Sequence, residues 1–338
     1  METQPTLSLY GSPQIQKWLE DNPNMIVEIV RQSYVNHHAG KTTNPDSYFL
    51  NFRNEPDNRI IALPSVIDDH SPVAGIKWIS SFPANTSRGL DRASALIVVN
   101  DRQTGYPLAC MEGSLISAAR TAASAVIGFD ALHNPGKHIR QLGIVGCGPI
   151  AFTTVNLLLK TGWTIDALSL SDTRGERAEH FQQKLAEQPL TIYLNDIRDT
   201  ITHSDAILFT TSSITPYVED PLLFSHHPTV IHLSLRDLSP DIIRSAQNVA
   251  DDISHCLKAN TSLHLTEQQD GNHLFIELSI SDFITGNAQP DKTRTRIYSP
   301  FGMGILDLAV ARAIMLDGTI SPQYISKDFS PTPYLAKN

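Results

Sequence analysis

The sequence predicts an α/β protein in two parts: a doubly wound Rossmann domain and a discontinuous α+β domain. Three observations carry this. The chain has 338 residues, enough for two domains that each bury a core. A glycine turn, GCGPIA at 146–151, stands between a buried apolar run and a helical run. Ahead of it lie short branched segments separated by turn residues instead of helices, a texture that is not βαβ.

Residues 13–38 form a helical stretch, because Ile15, Trp18, Leu19, Met25, Ile26, Ile29, Val30 and Tyr34 recur at spacings of three and four, with a break at Pro23. Strands follow at 59–66, 74–80 and 95–100, punctuated by DDHSP and DRQTGYP. Small and apolar residues at helical spacing, without an internal proline, then give a long helix over 111–132. Next comes a βαβ unit: a buried strand at 139–145, the glycine turn, a helix at 150–160, a strand ending at Asp172, and a helix at 176–187. Further strands are expected at 191–194, 206–211, 230–235 and 248–250, and a helix at 304–316 returns the chain to the first part. The expected borders are 1–120 with 303–338 for one domain and 121–302 for the other.

Composition narrows the function classes. Lys plus Arg total 26 against 35 for Asp plus Glu, a formal charge of -9, with no basic run to neutralise phosphates, so neither nucleic acid nor an anionic membrane is an expected partner. Apolar residues at 41% and charged residues at 18% are those of an ordinary folded protein. Cys110, Cys147 and Cys256 are far apart and read as reduced and structural. The N-terminus lacks a basic start followed by an apolar segment, and no apolar run approaches a membrane span, so a soluble cytoplasmic protein is expected.

The chemistry starts at the glycine turn. Gly146 permits the tight turn, Gly148 lets backbone approach a pyrophosphate, and Ala151 lets the helix pack closely. Pro149 and Ile150 complete the helix start, whose amides face an anion. Asp172 closes the next strand, where an acid accepts hydrogen bonds from an adenosine ribose, favouring NAD; Arg174 nearby leaves a 2′-phosphate open. Thr211 joins this cofactor set. Lys77 lies mid-strand between Ile76 and Trp78, an expensive place for an ammonium unless it meets an anion. Arg120 sits in the small-residue helix. Asp237, in SLRDLSP, follows a buried strand; it reads as an active-site acid or as the N-cap of a helix starting near Pro240. The pairs His37-His38 and His226-His227 point to different sides and make poor ligands, 68–70 reads as a polar turn, Asp251-Asp252 as a polar strand end, and no metal is expected.

Taken in order, AGIKWISSFPANTSR, NDRQTGYPLACMEGSLISAARTAA, LGIVGCGPIA and SPFGMGILDLAVA resemble the ornithine cyclodeaminase and mu-crystallin family over nearly the whole chain. Within it, RIIALPS, RASALIVVND and SPFGMG are most similar to the dehydrogenases of 2,3-diaminopropionate biosynthesis, which act on N-(1-amino-1-carboxy-2-ethyl)-glutamate. The resemblance implies that the discontinuous domain binds substrate and forms a homodimer while the Rossmann domain binds NAD. It implies that Lys77 and Arg120 bind the substrate carboxylate, that Arg53 is another carboxylate contact, and that Asp237 is the catalytic acid/base, with Lys77 also counted as catalytic. Where ornithine-converting members carry Thr, this chain has Arg92, which suits a substrate with more carboxylates. The implied reaction is NAD-dependent oxidative cleavage to 2-oxoglutarate and 2,3-diaminopropionate, feeding a siderophore or a peptide natural product. Cyclodeamination of ornithine, imine reduction or amino-acid dehydrogenation on the same scaffold remain alternatives, as does a non-enzymatic dinucleotide-dependent binding protein.

Overall fold

The computed structural model describes residues 6–133, 135–327 and 329–330. The chain divides into two compact units, Met1–Arg120 with Met303–Asn338, and Thr121–Gly302.

In the first unit the strands lie in the spatial order Tyr324–Ser326, Leu7–Tyr10, Pro107–Glu112, Ala93–Asp101, Val73–Ser81, Glu55–Ile67 and Thr42–Thr43, with Tyr48–Phe52 also paired to Glu55–Ile67. Every pairing is antiparallel apart from Leu7–Tyr10 beside Pro107–Glu112. Side chains alternate across this sheet. On one face Lys77, Ser81, Ile97, Val99 and Met111 are buried; on the other Trp78 and Leu96 are 40% and 42% exposed.

The helix Gly304–Asp317 covers the buried face, against Glu55–Ile67, Val73–Ser81 and Ala93–Asp101, and also packs on the helix Pro23–His38. Gly75 permits this approach, since a Cβ there would fall 2.6 Å from Leu308 Cδ1. The helices Ser12–Asp21 and Pro23–His38 each begin on a proline near their start, where a missing N–H costs nothing. They bury Ile15, Trp18, Ile26, Val30 and Tyr34.

Among the described residues the second unit holds eight parallel strands, ordered Thr191–Leu194, Thr164–Ser171, His138–Val145, Ala206–Phe209, Thr229–His232, Arg296–Ser299, Gln247–Ala250 and Ile276–Ser279. Ile144, Ile207, Leu208, Phe209, Val230 and Ile231 are all 0% exposed, as strands covered on two faces require. The chain winds outward from His138–Val145 in one direction, then resumes on its other side at Ala206–Phe209. A ligand crevice belongs at the carboxyl ends of those two strands.

Several expected elements shift. The long helix starts at Ser114, not 111, because Met111 and Glu112 complete a strand and the Glu112 carboxylate then accepts the Ser114 and Leu115 N–H groups, at 2.6 and 3.1 Å. That helix, Ser114–Leu132, is long and apolar enough to cross a membrane by length and composition. It is a core helix, with Ala122, Ala123, Ala125, Val126, Ile127 and Phe129 all 0% exposed. The strand expected over 230–235 stops at His232, since Leu235 takes a left-handed φ of 68°. The strand expected over 206–211 stops at Phe209, so Thr211 lies beyond its end. Leu7–Tyr10, Tyr48–Phe52, Ile276–Ser279 and Arg296–Ser299 are strands the pattern did not single out.

The 68–70 turn is also more than polar. Asp69 is 7% exposed at its side chain and takes a fork of hydrogen bonds from Arg312, at 2.6 and 3.0 Å. Burial alone would raise the Asp69 carboxyl pKa, but the Arg312 bonds and the Ser71 N–H hold it below the usual value. Its stabilisation is therefore present above the unfolded carboxyl value and is lost as pH falls through the lower folded one. Arg312→Met strands that carboxylate and should cost on the order of 3 kcal/mol. Thermal denaturation of the two proteins checks this, and the gap between them should close in strong acid.

Candidate active site

The strand His138–Val145 delivers the chain into Gly146, whose φ is 95°. A Cβ there would lie 2.9 Å from the Thr210 carbonyl, so only glycine fits between the two strand ends. The turn is pinned by the Gly146 N–H on the Ser171 carbonyl, at 2.8 Å, and by the Thr210 hydroxyl on the Gly146 carbonyl, at 2.6 Å. Above Gly148 the space is open, with nothing within 4 Å of a built Cβ. The helix Pro149–Lys160 starts at this point, with Pro149 in its first turn, Ile150 half-buried and Ala151 fully buried against the sheet. Asp172 stands just past its strand; its Oδ2 accepts the Cys147 N–H at 2.8 Å and its Oδ1 the Arg174 N–H at 2.9 Å. A dinucleotide fits this arrangement: the open space over Gly148 and the amides of the helix start suit its pyrophosphate, and the Asp172 carboxylate at the end of the neighbouring strand suits a ribose hydroxyl.

In the first unit Lys77 is buried and finds its anion. Its ammonium donates to Asp307 Oδ2 at 2.7 Å and to the Ser117 hydroxyl at 3.1 Å. Arg120 reaches the other oxygen of Asp307 at 3.3 Å through Nε. Side-chain exposure is 2% for Lys77, 0% for Asp307 and 13% for Arg120. Burial lowers the Lys77 pKa to about 8; the charge of Asp307 raises it and that of Arg120 lowers it further. One carboxylate thus serves two cations, leaving an excess positive charge in a solvent-poor place. Asp307 and Ser117 escape the sequence reading, although an acid inside the apolar run GILDLAVARAIM was a signal.

Arg92 donates to the buried Ser81 hydroxyl at 2.7 Å. Solvent reaches its side chain, yet the enclosing protein first, and then the charge of Arg59, lower its pKa. Arg53 is exposed in the tight turn between Tyr48–Phe52 and Glu55–Ile67, and is not part of the Lys77 cluster.

Asp237 lies in the second unit, after Thr229–His232, and is 0% exposed. The N-cap of the helix Pro240–Ser245 is Ser239, so the capping role read as an alternative for Asp237 does not apply. Its Oδ1 accepts the hydroxyls of Thr211 and of Tyr217, the latter at 3.0 Å. Its Oδ2 accepts the Ser234 hydroxyl and faces His232 Nε2 at 3.0 Å. Burial would raise the carboxyl pKa; the His232, Ser234 and Thr211 bonds prevail and hold it at about 2. The same carboxylate, with burial acting first, pushes the Tyr217 phenol up. Thr211, Ser234 and Tyr217 are within reach of solvent while Asp237 is not. Of the sequence-predicted residues, Thr211 meets both groups, lying beside the Gly146 turn and bonded to Asp237.

Comparisons with known proteins agree with this architecture. Residues 19–317 match the model of the ornithine cyclodeaminase/mu-crystallin family. A Staphylococcus aureus protein named N-((2S)-2-amino-2-carboxyethyl)-L-glutamate dehydrogenase is 29% identical over 272 residues, 77% of this chain and 80% of that protein. The Thermococcus litoralis Δ1-pyrroline-2-carboxylate reductase, solved with NADH and L-proline, superposes with a TM-score of 0.85 at 21% identity, covering 94% of this chain and 100% of its own. An archaeal alanine dehydrogenase dimer with bound NAD gives 0.82 at 20% identity, covering 94% and 98%. With its parallel sheet, glycine turn and match over most of its length, the chain belongs to the ornithine cyclodeaminase/mu-crystallin family.

Proposed function

We propose that this protein is an NAD-dependent oxidoreductase acting on CH–NH bonds, and that its substrate is N-(1-amino-1-carboxy-2-ethyl)-glutamate, cleaved to 2-oxoglutarate and 2,3-diaminopropionate. The observation that carries this reading is the cationic surplus of the first unit: Lys77 and Arg120 share the single carboxylate of Asp307, and Arg92 adds a further guanidinium. Such a surplus suits a substrate with several carboxylates. The named activity of the Staphylococcus aureus relative supports the same substrate.

Gly146, Gly148, Pro149, Ile150, Ala151, Asp172 and Thr211 would hold the dinucleotide. Once bound, it supplies the acceptor for the hydride that leaves the glutamyl α-carbon. Lys77 and Arg120 bind a substrate carboxylate and fix that carbon in place, orientation being the main contribution of such groups. Asp237 takes the proton of the secondary amine. Its low pKa comes from donated hydrogen bonds, so an amine that displaces the Ser234 or Thr211 hydroxyl removes part of that stabilisation and makes the carboxylate more basic. Loss of hydride and proton leaves an imine; water adds to its carbon, the C–N bond breaks, and the nitrogen departs with diaminopropionate.

The same reading makes the protein cytoplasmic and homodimeric, the open sheet face with Trp78 and Leu96 being its apolar contact surface, and its product a precursor for a siderophore or peptide natural product.

NADH absorbance with the conjugate, alongside ornithine, alanine and glutamate, tests the assignment. NADH together with 2-oxoglutarate and diaminopropionate is the expected result; proline and ammonia from ornithine without net NADH would mean a cyclodeaminase. Asp237→Asn should keep NADH binding, followed by fluorescence, while turnover falls about 10²- to 10⁴-fold. Lys77 is charged below about pH 8 and neutral above it. KM for the conjugate should therefore rise as pH passes that value, and Lys77→Arg should abolish this rise because a guanidinium stays protonated.

A further inference from the structure

We propose that Arg59 and Arg92, joined through Ser81, form a second anion subsite that takes the distal carboxylate of the substrate's amino-acid half, and that Arg59 thereby sets its selectivity for dicarboxylates. The inference rests on the reading above that Lys77 and Arg120 hold the first carboxylate.

Strand register places the group. Arg59 lies directly opposite Ser81 on the neighbouring strand, and Leu63 opposite Lys77. Arg59 and Leu63, like Ser81 and Lys77, are separated by an even number of residues, so all four side chains stand on one face of the sheet. Four residues at about 3.3 Å each put Ser81 roughly 13 Å along the strand from Lys77. Lys77 at one position, and Arg59 opposite Ser81 at the other, are long cationic side chains that can converge on two carboxylates of one small molecule.

The charges are unmatched. Among the described residues, Arg59 Nε is buried without a hydrogen-bond partner. Arg92 donates to a neutral hydroxyl, and the charge of Arg59 lowers its pKa, which places the two guanidiniums in each other's field. Glu55 and Asp57, on the same strand as Arg59, make no ion pair with it among the described residues. Two neighbouring cations, one with a buried and unsatisfied N–H, are costly to hold without an anion. A carboxylate offers what is missing: two oxygens with lone pairs for the Arg59 fork and the free Arg92 donors. Arg59 was not among the residues singled out from the sequence, since nothing in RIIALPS shows which strand residues share a face with Arg92.

The test is equilibrium binding of 2-oxoglutarate and of pyruvate to the full-length protein loaded with NADH, by calorimetry. The wild type should prefer 2-oxoglutarate; Arg59→Gln should weaken 2-oxoglutarate by about 10- to 100-fold, the weight of a charged hydrogen bond, while pyruvate changes little. Arg59→Lys keeps the charge without the fork and should recover only part of the loss, and it serves if the glutamine variant does not fold. Equal losses for both acids, or no loss for either, would overturn the subsite. The outcomes separate from the proposed reaction: selective binding through Arg59 without turnover of the conjugate would leave the subsite standing and remove the activity. Turnover of the conjugate with Arg59→Gln indistinguishable from wild type would do the reverse.

Discussion

The carboxylate of Asp307 is the countercharge on which the first unit's site depends. It has no solvent access, and it meets an ammonium from a mid-sheet strand and a guanidinium from a separate helix. Burying an ion pair is at best weakly stabilising, whereas removing one partner costs about 3–5 kcal/mol because the other charge is left in a poor solvent. Asp307 therefore fixes where the helix Gly304–Asp317 lies on the sheet as firmly as the apolar residues around it do. Gly75 belongs to the same packing, because a Cβ there would fall 2.5 Å from the Val98 carbonyl oxygen of the neighbouring strand and 2.6 Å from the Leu308 side chain of the covering helix. What remains after pairing is a positive surplus held rigidly by three elements distant in sequence, which is the condition a carboxylate-binding site needs.

Asp237 solves the same burial problem differently. Among the described residues no arginine or lysine bonds to it; three hydroxyls and an imidazole do. Asp307 is therefore held by two cations, and Asp237 by hydroxyl donors together with the His232 imidazole. Hydroxyl donors are exchangeable, for each can turn to another acceptor without leaving a bare charge behind, whereas Lys77 cannot abandon Asp307 without stranding both. The first carboxylate is built to stay, and the second has the exchangeable donors that the proton-transfer role proposed for it requires. The left-handed Leu235, at φ 68°, supports this assignment. A branched side chain in that region costs on the order of 1–3 kcal/mol, and the turn it makes is the one that brings Asp237 back over His232 and Ser234.

The local signals in the sequence were those with a fixed period or a fixed chemistry. The GxGxxA turn between a buried strand and a helix indicated the parallel sheet, because small residues at that spacing permit a tight strand-to-helix turn and let backbone approach a pyrophosphate. Lys77 betrayed itself as a cation among apolar strand residues. What the sequence concealed were pairings. Asp307 lies 230 residues from Lys77, and periodicity says only that its helix is apolar, not which strand it covers. Met111 and Glu112 fit a helix as readily as a strand until Glu112 is seen capping the helix that follows. Leu7–Tyr10 and Tyr48–Phe52 are short and partly exposed, so their order comes from neighbours that a local pattern does not contain. Arg53 shows the reverse case: the resemblance assigns it to a carboxylate, while the fold leaves it exposed in a turn apart from the cluster.

The charges of the first unit also bear on substrate size. Lys77, Arg120, Arg59 and Arg92 are four cations, and Asp307 is the one acid paired within the group. That surplus offers a cation to each carboxylate of the proposed three-carboxylate conjugate, whereas alanine or proline, with one carboxylate each, would leave most of it without a partner. A fold that served only such monocarboxylates would gain stability by replacing Arg59 or Arg92 with a neutral residue, since like charges held together are destabilising until an anion arrives. Arg59 on the sheet face that carries Lys77, with Arg92 bonded to Ser81 beside it, is accordingly a cost to the free protein that the proposed conjugate would offset.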